Sequence, residues 1–168
     1  RAMQGRPSIY FKDAEFRFYF FFLLSSASMI TLIIWQKNHL ELGEALRAAF
    51  FSTTSLISTT GFCTVDFDLW PAAAKFILML CVLAGGCAGS TTGGIKQIRL
   101  LVTIKRIFRE MRLFIHPQAI VQVKLNKQPV ESNTVNNITC YFLLYIVIFA
   151  AAALLMSIFC DGETNETI

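Results

Sequence analysis

Two short stretches hold the residue types that could do chemistry. One is LISTTGFCT, Leu56–Thr64, where Ser58-Thr59-Thr60-Gly61 follows an apolar run of helical pattern. The other is GGCAGSTTGGIKQIRL, Gly85–Leu100. Neither stretch supplies an acid, a base or an activated nucleophile, and no Ser-His-Asp arrangement, carboxylate pair or Cys-His pair is recognisable elsewhere. What hydroxyls and glycines can do is present oxygen. Backbone carbonyls, with a threonine hydroxyl beside them, can replace the water shell of a cation. Gly61 permits a backbone angle that a Cβ forbids. The second stretch invites a rival reading, because GSTTGGIK, Gly89–Lys96, approximates a phosphate-binding loop. Gly89 and Gly94 have the right separation, but Ile95 intervenes before Lys96, Gln97 stands where Ser or Thr is needed, and an apolar span precedes instead of a strand.

Such oxygens need elements to aim them, and the composition says which kind. Of 168 residues, 55% are hydrophobic, 15% are charged and 16 are Phe, too apolar for an ordinary soluble domain. Charges are absent from Phe18 to Gln36, Phe76 to Ile95 and Ser132 to Cys160. Each window can cross a bilayer as a helix of ~20 residues. Three membrane-crossing segments are expected; a soluble bundle with unusually apolar core helices is the alternative. The first apolar run lacks an A-x-A-like cleavage site, so no signal peptide is expected. The start at Arg1 suggests a fragment. The five Cys (Cys63, Cys81, Cys87, Cys140, Cys160) show neither C-x-x-C spacing nor a nearby His and are read as packing residues.

The basic residues set the orientation. Lys96, Arg99, Lys105, Arg106, Arg109, Arg112, Lys124 and Lys127 lie between the second and third windows, opposed only by Glu110. That connection and the start (Arg1, Arg6, Lys12, Arg17) should be cytoplasmic. Glu41, Glu44, Asp66, Asp68 and the tail CDGETNETI should lie outside. The positive-inside rule also accounts for the basic run Lys105–Arg112 without nucleic acid. Leu40–Ser58 is helical in pattern, with Leu42, Ala45, Ala49, Ser52 and Leu46, Phe50, Thr53 at helical spacing. It is too short and too charged at its start to cross. With Glu41 and Asp66 both outside, it is expected to dip in and return as non-helical backbone, which is tolerated at depth only in shelter or beside a wet cavity. A surface amphipathic loop is the alternative. Trp35 and Trp70 fall where an outer aromatic belt would be. Lys75 should snorkel outward, and Asp66 and Asp68 are solvated, with cation enrichment at an outer mouth as an added role.

Span, re-entrant helix and loop, span is the unit of potassium-channel-like proteins. At this point LISTTGFCT, followed by GGCAGSTTGGIKQIRL and HPQAIVQVKLNKQPV, resembles the superfamily of Trk, Ktr and HKT potassium-ion transporters, and its Trk branch in particular. The resemblance covers nearly the whole chain. It implies an all-α membrane protein in which residues 1–112 are the third of four span–loop–span repeats. The spans would be about 15–36 and 69–112 with a break at 85–94, the pore helix about 40–58 and the filter 59–62. Residues 113–132 would be a cytoplasmic connection, and 133–168 the first helix of the fourth repeat with its extracellular end.

For function the resemblance implies potassium uptake across a bacterial inner membrane, without enzymatic activity. The filter quarter would be Thr59, Thr60, Gly61 and Phe62, with potassium at Thr59, Thr60 and Gly61. Against the potassium-channel pattern T-V-G-Y-G, Thr60 stands at Val, Phe62 at Tyr and Cys63 at the last Gly. Gly85, Gly86, Gly89, Ser90, Thr91, Thr92, Gly93 and Gly94 would form a gating loop. The four-residue spacing of Gly85, Gly89 and Gly93 also fits a helix-packing face, and both readings stand together. Lys96 and Arg99 are expected to snorkel to the cytoplasmic mouth, where a partner could meet them. The implied partners are a second full-length subunit (homodimer), membrane lipid and a cytoplasmic nucleotide-binding regulatory subunit (TrkA-like). Potassium is the ion, and no organic cofactor or nucleic acid is expected. The other readings are a non-transporting membrane scaffold or association fragment and, more remotely, a nucleotide-using membrane enzyme. His39 and His116 are read as surface residues.

Overall fold

The computed structural model of the chain describes residues 13–38, 41–116, 122–126 and 128–163. Among them are five α-helices: α1 (Ala14–Asn38), α2 (Leu42–Ile57), α3 (Ala72–Ala84), α4 (Gln97–Ile115) and α5 (Ser132–Glu163). A two-stranded antiparallel hairpin, β1 (Lys124–Leu125) and β2 (Gln128–Pro129), lies between α4 and α5. Helices thus stand at 14–38, 42–57 and 132–163, over the segments expected as first span, pore helix and last span. His39 lies outside the described residues.

α1 and α5 are long and apolar enough to cross a membrane. α1 holds Ser25, Ser26 and Thr31 in a hydrophobic setting, and each hydroxyl donates to a carbonyl three or four residues back (Phe22 for both serines, Ala27 for Thr31). This satisfies polar groups that lipid could not. α3 has only 13 residues, a rise of ~20 Å, short of a ~30 Å hydrocarbon core. The second expected span is therefore two helices, α3 and α4, with residues 85–96 between them.

α2 packs between α1 and α3, and its small residues make this possible. Ala45, Ala49 and Ser52 are buried at one-turn spacing, against Ile30 and Ile34 of α1 and Ala74 and Leu78 of α3. Small side chains let helices approach closely where lipid offers no hydrophobic drive. Leu42 and Leu46, on the same helix, stay exposed. Trp70 corrects an expectation: it is 5% exposed and belongs to this core, while Trp35 is exposed as an interfacial residue would be. Burial and an interfacial belt draw on the same apolar ring, so position along the chain did not separate them.

α4 and α5 form the second packing unit. Val102, Val123 and Val135 are buried together, flanked by Val130 and Ile138. Arg106 Nη1 donates to Thr139 Oγ1 at 2.7 Å, and Lys105 Nζ to the Lys124 carbonyl at 2.7 Å. The hairpin turns at Asn126, whose φ of +48° is one that asparagine tolerates well.

Candidate functional site

The site is built from two loops. The first follows α2. Ser58 closes the helix, its hydroxyl donating to the Thr54 carbonyl at 2.7 Å. Thr59 then turns to φ +55° and Gly61 to φ +74°, while Thr60 between them stays at negative φ. The Thr60 hydroxyl is spent on the helix end: it lies 3.2 Å from the Ser55 carbonyl, 3.3 Å from Ser55 Oγ and 3.2 Å from Ser58 Oγ. The Thr60 amide donates to the same Ser55 carbonyl at 3.0 Å. The segment is thus braced from behind, while residues 59–66 are all exposed in this chain, Phe62 by 71%. The α2 carbonyl end, the negative end of the helix dipole, points the chain into this turn, and no basic residue lies in its last turn. Beyond it Asp66 Oδ1 accepts from the Asp68 amide at 2.9 Å, and Lys75 Nζ donates to the Asp68 carbonyl at 3.0 Å. Lys75 is thereby tied to the chain and not simply extended outward.

The second loop leaves α3 at Gly85 and returns at Gly94 through a closed neck. A Cβ on Gly85 would lie 2.3 Å from the Gly93 carbonyl oxygen, and one on Gly94 2.9 Å from that of Val82. Both glycines take positive φ, +66° and +83°. Only glycine fits such a backbone-to-backbone crossing. The neck is held by Ile95 N–H to the Leu83 carbonyl (2.9 Å), Gln97 N–H to that of Gly86 (3.0 Å) and Gln97 Nε2 to that of Gly85 (2.9 Å). Gln97 is fully buried. Inside the loop, the Gly86 amide donates to Thr92 Oγ1 at 3.1 Å, Ser90 Oγ donates to the Cys87 carbonyl at 2.6 Å, and Ser90 Oγ and Thr92 Oγ1 are 2.7 Å apart.

The two loops meet. The Gly93 amide donates to Thr59 Oγ1 at 3.2 Å. The expected filter and the expected gating loop are therefore in contact through a threonine hydroxyl and a glycine N–H, from positions 34 apart in sequence. A third element joins: the Glu15 carboxylate, at the start of α1, accepts from the Ala88 amide. Next to it the Ala14 amide donates to Asn126 Oδ1 at 2.9 Å, and Asn126 Nδ2 to Asp13 Oδ1 at 3.2 Å, linking the hairpin to the same helix start.

Lys96 and Arg99 do not extend away as the snorkelling expectation had them. Lys96 Nζ folds back over the loop, donating to the Ser90 carbonyl at 2.8 Å and the Thr92 carbonyl at 2.5 Å. The Arg99 guanidinium lies 4.1 Å from the ring centroid of Tyr141 on α5, a cation–π contact. The phosphate-loop reading fails on geometry too. A helix precedes the loop, and its lysine binds carbonyl oxygens where a phosphate cradle presents N–H groups. Among the described residues no group of three or more His, Cys, Asp or Glu could hold a metal ion.

The chain as a whole matches known proteins. The profile of the TrkH family, described as cation transport protein, fits residues 9–160. The chain belongs to the TrkH family. The family is one of transport proteins and not of enzymes. A Halomonas elongata relative named Trk system potassium uptake protein TrkH is 36% identical over 146 residues, 87% of this chain and 30% of that protein. The protein of the same name from Escherichia coli K12 is 31% identical over 154 residues, 90% of this chain and 32% of that one. The crystal structure of the potassium transporter TrkH from Vibrio parahaemolyticus superposes with a TM-score of 0.84 at 30% identity, covering 90% of this chain and 33% of that one. The chain thus spans about a third of the length of these TrkH relatives.

Glu15, Gln97, Asn126 and Tyr141 escaped the sequence reading. Glu15 and Asn126 had a visible signal, a carboxylate at a helix start and an Asn in a short polar turn, but nothing in spacing ties either to a loop 73 or more residues away.

Proposed function

We propose that this chain contributes one of four span–loop–span quarters to a potassium-conducting pore, with Thr59–Phe62 as its part of the filter and Gly85–Gly94 as a gate beneath it. The observation that carries the reading is the contact between Thr59 and Gly93, which sets the glycine-rich loop after α3 directly against the turn after α2. Two further features support it. Positive φ at Thr59 and Gly61, with Thr60 between, breaks the alternation of carbonyl directions along an extended strand, so successive oxygens can stack toward one axis. The hydroxyl of Thr60 faces back to α2, leaving main-chain carbonyls as the ion ligands. The exposure of residues 59–66 fits a quarter whose other three faces come from elsewhere in a complete subunit.

The relatives are named potassium uptake proteins, so potassium is the proposed cargo. In this reading the start of α1 and the connection after α4 face the cytoplasm of a bacterial inner membrane, and the end of α5 faces outside. Full-length subunits pair as homodimers, and a nucleotide-binding regulatory subunit docks near the basic connection.

The test is rubidium and sodium uptake by the full-length protein in cells lacking potassium uptake. The unmodified protein restores growth at low potassium. Gly61→Ser lowers the preference for potassium over sodium by about tenfold or more, because a Cβ at φ +74° is strained and costs roughly 1–2 kcal/mol in the filter geometry. Unchanged selectivity would remove these carbonyls from the filter.

A further inference from the structure

By sequence Lys96 is expected at the pore mouth, as a positive surface charge. Its surroundings suit a different role. Its ammonium is surrounded by four oxygens of the loop: the carbonyls of Ser90 (2.8 Å) and Thr92 (2.5 Å), and the hydroxyls of Ser90 (3.4 Å) and Thr92 (3.2 Å). Two carbonyls and two hydroxyls are the ligand chemistry of a monovalent-cation site. The ammonium group fills it as a compact point charge with three donors. Two features make the placement locally unfavourable. Lys96 has φ +76°, rare for a residue with a side chain, and it caps the start of α4, where the helix dipole disfavours positive charge. Strained residues persist where the surroundings over-determine them, often in switches.

We propose that Lys96 is a tethered cation: its ammonium occupies a monovalent-cation cradle formed by Ser90 and Thr92 and latches the loop in its folded-in, closed form. The lysine, as the N-cap residue, ties the loop interior to the start of α4, so the loop cannot swing from its neck without breaking these bonds. Thr92 Oγ1 also accepts from Gly86 N–H, which places the cradle at the base of the loop as well as its tip. Opening the gate then requires the cradle to release the ammonium, and a permeating potassium ion can take the same oxygens in its place. Lys96 acts as a positioning residue through the loop. This inference rests on the reading of Gly85–Gly94 as the gate.

The experiment measures basal rubidium flux through the purified full-length protein in liposomes. Lys96→Met, which keeps length and loses the ammonium, is expected to raise flux at least about fivefold, the lower end of an ordinary conformational coupling. Lys96→Arg is expected to raise it similarly, because a planar guanidinium does not fit a compact four-oxygen cradle. If Lys96→Arg matches the unmodified protein while Lys96→Met is raised, charge at the mouth and not occupancy of the cradle is at work, and the latch is overturned. Unchanged or reduced flux in both overturns it as well. Should Lys96→Met fail to purify as a monodisperse protein, Thr92→Val carries the test: raised flux supports the latch and flux equal to the unmodified protein overturns it. A variant lacking residues 87–92 separates the two levels. If it raises flux and the Lys96 variants do not, the gate stands and the latch falls; if it too leaves flux unchanged, the gate reading itself falls.

Discussion

The tetrapeptide Ser-Thr-Thr-Gly occurs twice, at Ser58–Gly61 and at Ser90–Gly93, and the two copies fold differently. In the first, Thr59 and Gly61 take positive φ; in the second, none of the four does. The third residue is the brace in both. Thr60 bonds back to Ser55 and Ser58 of the preceding helix, and Thr92 bonds across the loop to Gly86 and Ser90. The cause of the difference lies in what flanks each copy. The first follows a helix whose last carbonyls need donors, so the Thr59 and Thr60 amides and the Ser58 and Thr60 hydroxyls turn back to it. The second sits in a loop closed by a glycine neck, so its hydroxyls and carbonyls turn inward, onto one another and onto Lys96. Under the proposed function one sequence thus serves as an oxygen ladder in its first copy and is an inward-facing knot in its second, and the two touch at Thr59 and Gly93.

The strongest way to break this comparison is through the glycines. Gly85→Ala and Gly61→Ala both place a Cβ at positive φ, +66° and +74°. At Gly85 the new atom also meets the Gly93 carbonyl oxygen at 2.3 Å, whereas at Gly61 nothing lies within 4 Å. Gly61→Ala is expected to cost about 1–2 kcal/mol and to lower the thermal midpoint of the purified full-length protein by a few degrees. Gly85→Ala carries that strain plus a backbone clash and is expected to abolish the closed neck, seen as loss of monodisperse protein or a drop in the midpoint several times larger. Equal effects from the two would mean that the neck yields easily and is no fixed hinge of the loop.

The same contrast explains what was legible in the sequence. The break after Ala84 could be read because Gly85–Gly94 holds almost no helix former, and α2 could be read as a helix because Leu42, Ala45, Ala49 and Ser52 recur at helical spacing. The limits of α1 and α5 lie close to those of the uncharged windows Phe18–Gln36 and Ser132–Cys160. The direction of Lys96 could not be read. Snorkelling outward and folding back over a loop use the same flexible stem, and the Ser90 and Thr92 oxygens that hold the ammonium are placed by the fold of the loop. Trp70 was misplaced for a related reason, since an interfacial ring and a core ring have the same hydropathy. The hairpin at Lys124–Pro129 was missed because strands of two residues each leave no period to detect. Contacts such as Glu15 to Ala88 join elements far apart in sequence, and one chain read alone carries no sign of them.

A gentler probe separates the roles of the two bracing threonines. Thr60→Val keeps shape and removes the hydroxyl, but the Thr60 amide still reaches the Ser55 carbonyl at 3.0 Å. The lost bonds amount to about 1 kcal/mol, so potassium preference over sodium in the uptake assay should fall by about fivefold with little change in total flux. Flux rising in place of selectivity falling would mean that the first copy of the tetrapeptide also works as a gate, and the division between ladder and knot would collapse.

The smallest effect is expected from the loop's tie to α1. Glu15 accepts from the Ala88 amide, and Ala88 is exposed, so water can replace the carboxylate once it is gone. Because water takes its place, the net bond lies at the low end of the usual range, about 0.5 kcal/mol. Glu15→Ala should therefore change basal rubidium flux by no more than about threefold, and Glu15→Gln, which keeps an acceptor, by less. The Lys96 bonds close the loop upon itself from within, while the Glu15 bond holds it to a neighbouring helix from outside. A tenfold rise in Glu15→Ala would reverse that ranking. The loop would then be held chiefly from outside, by the helix start that also binds Asn126 of the hairpin, and the basic connection would become the place from which the loop is pulled.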